Sequence, residues 1–150
     1  MVKVISGGVT APTGFQAIGA AAGIKYAGRK DMAMIYSESE CVVAGTFTTN
    51  VVKAAPVKWD QGIVYGNKTA HAVVVNSGIA NACTGVEGMN FCRQTAVKTA
   101  ELFGINENQV LVASTGVIGR QLPIDRIEAG VELMKPMLSD SEAAGTLAAE

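Results

Sequence analysis

The sequence predicts an α/β fold, and three observations carry that prediction. Residues 70–76 (AHAVVVN) and 110–114 (VLVAS) are short, continuously apolar runs with the length and β-branched content of buried strands. Each run ends in a loop of small residues containing glycine. Each loop leads into a segment whose apolar residues recur at helical spacing. Strand, glycine loop and helix, twice over, is an α/β pattern. The strand ends are the positions where such folds hold ligands.

Taken in order, the elements begin with residues 7–15, too rich in Gly and Pro for a helix and read as a structured loop. Residues 16–23 are small and apolar and fit an extended strand. Residues 31–36 (DMAMIY) and 41–47 (CVVAGTF) read as two further strands. Residues 54–57 either begin a short helix or cross a loop, because Pro56 tolerates a first turn or an edge. The 70–76 run reads as a strand buried on both faces and stops at Ser77-Gly78. The clearest helix is 89–103, with Phe91, Thr95, Val97, Lys98 and Leu102 approximating one face and Gly104 as its stop. After the 110–114 strand, residues 122–137 form a second amphipathic helix. Pro123 suits its first turn, and Ile124, Ile127, Val131 and Met134 share a face.

Composition narrows the function classes. The 150 residues are 49% hydrophobic and 17% charged, with 17 glycines and 5% aromatics, so the chain packs through small side chains and close backbone approach. They suffice for a single domain, 1–150, with a real core. A formal net charge of −1 supplies no bulk field for a phosphate backbone, and no nucleic-acid partner is expected. No apolar stretch is long enough to span a bilayer and no secretory signal is visible, so the expected setting is the cytoplasm, without a membrane partner. Cys41, Cys83 and Cys92, with the single His71, make neither a disulfide framework nor a zinc pattern. No metal is expected, and the three cysteines read as buried small hydrophobes. Asp31, Glu38 and Glu40 read as solvated edge charges.

Two loops have the composition for chemistry. In Ser114-Thr115-Gly116-Val117-Ile118-Gly119, glycines let backbone N–H groups face a cleft, and a hydroxyl beside an exposed N–H can stabilise an oxyanion in acyl transfer. An ordinary strand-to-helix turn reads the same way. In the 76–85 loop, Asn76, Ser77, Asn81 and Thr84 suit substrate hydrogen bonding and equally suit self-capping turns. Thr46, Thr48, Thr49 and Asn50 could line a cleft or simply follow a strand. Cys83 has no base paired to it by pattern, and His71, at the head of its strand, reads as structural. The residues alone name no reaction.

The same residues resemble a family. Gly8-Val9-Thr10-Ala11-Pro12-Thr13-Gly14-Phe15 with Gly23-Ile24-Lys25, then 44–50 with 54–57, then 75–85, then 114–119 with Leu122-Pro123, resemble in order four blocks of the ornithine acetyltransferases. The resemblance implies the N-terminal part of an α-chain with a layered α/β sandwich, completed by a β-chain cut from the same precursor. It implies transfer of acetyl from N-acetylornithine to glutamate through an acetyl-enzyme on the N-terminal threonine of the β-chain. Thr115, by its hydroxyl, and Gly116, by its N–H, would form the oxyanion hole. No cofactor is implied, and acetyl-CoA stays open as a second acetyl donor, because some members use it. An α2β2 heterotetramer is the implied assembly. Where many members carry Asn after Ser-Gly, this chain has Ile79, which receives no role. Thr146 lacks the family's cleavage context, so the nucleophile lies outside these residues. The small-residue tail 143–150 is expected to run on into further sequence or a second chain. A self-processing aminopeptidase or amidase of the same fold, with water as acceptor, and a non-catalytic binding module are the alternatives.

Overall fold

The computed structural model describes Val2 and residues 6–150. Four strands, β1 (Phe15–Ala20), β2 (Met32–Val42), β3 (Thr69–Asn76) and β4 (Val110–Ser114), form one sheet in the order β1-β2-β3-β4. The first two pairings are antiparallel and β3 runs parallel to β4. The helices are α1 (Ala55–Tyr65), α2 (Gly85–Phe103), α3 (Ile124–Met134) and α4 (Glu142–Ala149). The predicted α/β class is the observed one, with β3-α2-β4 as its parallel unit.

Register explains the core. Ile18 faces Met34, Met34 faces Val74 and Val74 faces Val112, a row of apolar side chains across all four strands. Each is at most 6% exposed, and burying each contributes roughly 1.5–3 kcal/mol. Ala55 of α1, Cys92, Ala96 and Ala100 of α2, and Ile127, Val131 and Met134 of α3 close over this row in the same cluster. Helix α4 takes the opposite face at β1, where Gly19 has no side chain and Leu147 of α4 packs onto its backbone. A short strand-like contact borders the sheet, with Ala17 and Ser139 exchanging both backbone hydrogen bonds at 2.9 and 3.3 Å.

Several sequence expectations need correction. The two strands predicted at 31–36 and 41–47 are one, β2, bulged between Tyr36 and Cys41, and residues 43–47 are not strand. The bulge falls on Ser37-Glu38-Ser39-Glu40, whose polarity hides the continuation; the Ser37 hydroxyl donates to the Ser39 carbonyl at 2.7 Å within it. Strand β3 is not buried on both faces: Ala70, Ala72, Val74 and Asn76 are buried, while Thr69, His71, Val73 and Val75 are half-buried. Only one helix layer covers it. Helix α2 starts four residues before the predicted 89 and turns a different face inward, with Gly88, Cys92, Thr95, Ala96, Thr99 and Ala100 buried. Small residues line that face because they let helix and sheet approach, and Phe91 and Leu102 pack at its margins. Gly104 ends α2 in the left-handed conformation, φ 67°, as predicted. Pro56 sits in the first turn of α1. Residues 122–137 are helical from Ile124, with Pro123 as the residue before the helix, and Ile127, Val131 and Met134 face inward. The tail 143–150 lies largely in α4, capped by the Ser141 hydroxyl accepting from the Ala144 N–H at 3.2 Å.

Strand β4 is an edge strand, and α1 blocks that edge with side chains. The Trp59 indole donates to the Val110 carbonyl at 2.9 Å, and the Asp60 carboxylate accepts from the Val112 N–H at 3.0 Å. Burial raises the Asp60 pKa from 3.8 to about 6, opposed by that Val112 hydrogen bond. A carboxyl that holds its proton more tightly when folded contributes stability that is lost as pH rises through its native pKa. Asp60 should therefore make unfolding easier as pH climbs from about 4 to about 6. Asp60→Asn should flatten that segment of the stability–pH profile in urea titrations, and an unchanged slope would reject the assignment.

Candidate functional site

The site follows from the register of β3 and β4. Asn76 and Ser114, the last residues of the two parallel strands, are paired, so the 76–85 and 114–119 loops leave the sheet side by side. Backbone hydrogen bonds lace them together: Thr115 N–H to the Asn76 carbonyl (3.0 Å), Val117 N–H to Gly78 (3.2 Å), Ala80 N–H to Val117 (2.9 Å) and Gly119 N–H to Ala82 (2.9 Å).

Most polar side chains of these loops serve the lacing, as the self-capping reading has it. Asn76 donates to the Ile79 carbonyl at 2.8 Å. Ser114 accepts from the Asn81 N–H at 2.9 Å and donates to Ile79 at 3.2 Å. Asn81, 1% exposed, donates to the Gly88 carbonyl at 2.7 Å and accepts from the Thr84 hydroxyl at 2.6 Å. Several donors are left over among the described residues, the Ser77 hydroxyl and the Gly78 N–H included, and two of them adjoin where the loops cross. Among the described residues neither the Thr115 hydroxyl nor the Gly116 N–H has a hydrogen-bond partner, and both residues are exposed. Gly116 has φ +129°, and a Cβ there would lie 2.3 Å from the Gly78 carbonyl carbon. Only glycine fits this close crossing of the two loops. A fixed hydroxyl beside a fixed, unshared N–H is an arrangement able to accept a developing oxyanion.

Sequence reasoning missed the residues that build the far wall. Asp31 is not a solvated edge charge: it is 7% exposed and accepts from the Ala22 and Ile24 N–H groups at 2.7 and 2.6 Å. Its carbonyl accepts from the Ser77 N–H at 2.8 Å, so Asp31 clamps the 21–30 loop to the 76–85 loop. A cavity of about 350 Å³ lies between them, lined by Lys25, Tyr26, Arg29, Ser77, Gly78 and Gly116 among others. No spacing in the sequence announces this clamp, because it joins residues far apart in the chain.

The remaining candidates stand apart from it. His71 is structural, with Nδ1 2.9 Å from the Ser37 carbonyl and its ring stacked on Tyr36. The Thr48 hydroxyl and the Asn50 side chain cap their own turn. Ile79 is 2% exposed and bridges to Val117, packed away from the cavity. Thr146 lies inside α4 and donates to the Glu142 carbonyl at 3.1 Å. The expectation of three buried cysteines fails for two of them: Cys92 is buried, Cys41 is half-buried and Cys83 is exposed with φ 57°. Burial pushes the Cys92 thiol up to about 12, with the Asp60 charge adding and the Asn81 amide opposing. Among the described residues no group of three His, Cys, Asp or Glu could hold a metal ion, and no helix is long and apolar enough to cross a membrane.

The pattern of the ArgJ family matches residues 16–149. The chain belongs to the ArgJ family. An "Arginine biosynthesis bifunctional protein ArgJ" from Gloeobacter violaceus is 48% identical over 130 residues, 87% of this chain and 32% of that protein. The protein of the same description from Thermotoga neapolitana is 52% identical over 122 residues, 81% of this chain and 30% of its own length. The chain thus spans about a third of the curated ArgJ relatives it matches. Two crystal structures share the fold. The arginine biosynthesis bifunctional protein of Bacillus halodurans superposes with TM-score 0.90 at 38% identity, over 97% of this chain and 75% of that one. The ornithine acetyltransferase of Mycobacterium tuberculosis, complexed with ornithine, gives 0.92 at 41% identity, over 97% and 78%. The resemblance read from the four sequence blocks is therefore the family found, and the layered α/β fold expected from it is shared with these ArgJ structures.

Proposed function

We propose that the chain is the N-terminal part of the α-subunit of an acyltransferase in arginine biosynthesis, moving acetyl from N-acetylornithine to glutamate. The observation that carries the reading is the pair of uncommitted donors, the Thr115 hydroxyl and Gly116 N–H, fixed where two laced loops cross. Family membership and an ArgJ-fold structure bound to ornithine supply the substrate class.

In this scheme the nucleophile is the N-terminal threonine of a β-chain released from the same precursor, with its own α-amino group as base. Its hydroxyl oxygen adds to the acetyl carbonyl of N-acetylornithine, and the carbonyl oxygen becomes an oxyanion held by Thr115 and Gly116. Collapse expels the ornithine amine, which takes a proton, and leaves an acetyl ester. The amine of glutamate then adds to the ester through the same oxyanion hole, and the threonine hydroxyl is regenerated. No cofactor enters these steps; acetyl-CoA, where accepted, would acylate the same hydroxyl and leave as the free thiol.

The sheet face opposite the helix layer is consistent with a second chain. Ile35, Val73 and Leu111, neighbours across three strands, are only half-buried there, and they line an apolar cavity of about 310 Å³ with Phe15, Val43 and His71. A β-chain packed on this face would complete the sandwich, and an α2β2 cytoplasmic assembly is the form we infer. The test is acetyl transfer by the full-length protein from N-acetylornithine to glutamate without acetyl-CoA. Equal formation of ornithine and N-acetylglutamate supports the reading. Hydrolysis alone would move it to an amidase, and no turnover by folded, processed protein would end it.

A further inference from the structure

The cavity beside Gly116 carries more positive charge than the lacing of the loops requires. Lys25 and Arg29 flank the ring of Tyr26, with Lys25 Nζ 5.0 Å and Arg29 Cζ 5.5 Å from its centroid. Among the described residues neither cation takes part in an ion pair, whereas their neighbour Lys30 is paired with Glu150. The cavity's carboxylate, Asp31, already accepts the Ala22 and Ile24 N–H groups. The charge left uncommitted at this wall is therefore cationic, and two like charges on one ring repel unless an anion joins them.

Their placement is built into the backbone. The Asp31 clamp fixes the loop bearing Lys25, and Arg126 donates to the Gly23 carbonyl from α3. A Cβ at Gly78 would sit 3.0 Å from the Lys25 Cβ, just as one at Gly116 would strike Gly78. Lys25, Gly78 and Gly116 are thus stacked in direct succession, which sets the Lys25 stem against the loop carrying the free N–H.

We propose that Lys25 and Arg29 form the subsite for the side-chain carboxylate of the acyl acceptor, and so select a dicarboxylic amino acid such as glutamate. This deepens the acetyltransferase reading and rests on it. Donor and acceptor share an α-carboxylate but differ at the far end, where glutamate is anionic and ornithine cationic, so a cationic wall favours the first and repels the second. The cavity that Lys25 and Arg29 line also touches Gly116, so a carboxylate held here would share one cavity with the proposed oxyanion donor. The phosphates of a coenzyme A thioester sit at the far end of a long arm and fit this position poorly.

The test compares Lys25→Met, which keeps the stem and removes the charge, Arg29→Gln and the double variant in the full-length protein. Each single change should raise KM for glutamate roughly tenfold, the loss of one charge-assisted hydrogen bond. KM for N-acetylornithine should stay unchanged or fall, and the rate of ornithine release in the first half-reaction should stay within about twofold. Lys25→Arg should restore the glutamate KM. An unchanged glutamate KM, an equal rise for both amino acids, or a rise confined to acetyl-CoA would each overturn the subsite. Wild-type protein without transfer activity would count against the acetyltransferase reading instead. Calorimetric titration with glutamate still reads the subsite in that case: weaker binding by the double variant supports it, and equal binding overturns it.

Discussion

Thr115→Ala is expected to slow acetyl transfer by about 10²–10³ while KM for both amino acids stays within about threefold. The size follows from what the hydroxyl is free to do. The amides and the hydroxyl that lace the ends of β3 and β4 are engaged elsewhere: Asn76 and Ser114 with Ile79, Asn81 with Gly88 and Thr84. The Thr115 hydroxyl is engaged with nothing among the described residues, so its removal leaves the loop's own hydrogen bonds intact. Its backbone N–H still donates to Asn76, and the unfolding midpoint should not move. Thr115→Ser should keep most of the rate, since it retains the hydroxyl. Steady-state and single-turnover kinetics on the two variants decide the matter. Equal rates for the alanine and serine variants, at any level, would remove Thr115 from the oxyanion hole.

How much of this was legible beforehand depended on whether the signal was local. Strands β3 and β4 are apolar runs bounded by glycine, and α2 ends at Gly104; each is written within a few neighbouring residues. The long strand β2 was not legible, because Ser37-Glu38-Ser39-Glu40 reads as a polar loop while tertiary pairing with β3 carries the strand through a bulge. Helix α4 has a local signal, Ser141 as its cap, but its small-residue content reads equally as a tail. The inward face of α2 is not the one its large apolar residues suggest, for a physical reason. Large apolar residues such as Phe91 draw the eye to one face, whereas close packing on the sheet needs Ala96, Thr99 and Ala100.

The site divides the same way. Thr115 and Gly116 were visible as a hydroxyl and a glycine after a strand, although turn chemistry alone would have produced the same letters. What separates the two readings is which donors remain unused, and that depends on hydrogen bonds between loops more than thirty residues apart in sequence, such as Asn81 to Ser114. Asp31 shows the limit most clearly. Its neighbours in the chain suggest an exposed strand end, and only the fold turns its carboxylate onto the Ala22 and Ile24 amides.

The abundance of glycine was legible as close packing, and it yields the largest stability effect expected here. Gly19→Val should destabilise the protein by about 3 kcal/mol or more, beyond an ordinary surface change. The Cβ position at Gly19 is 1.9 Å from the Leu147 carbonyl oxygen and 2.7 Å from its carbon. These are backbone atoms of α4, which no side-chain rotation can move aside. Either the sheet bends or α4 lifts away, uncovering Ala17 on the same face, now 0% exposed. Gly62 supplies the contrast. It lies on the exposed side of α1, with nothing within 4 Å of its Cβ position. Gly62→Ala should therefore stabilise by about 0.5–1 kcal/mol through helix propensity and the unfolded chain's entropy. Urea titrations of the two variants against the parent protein should move in opposite directions. If both moved the same way, the close seating of α4 on β1 would be wrong, because propensity and chain entropy alone would then govern both sites.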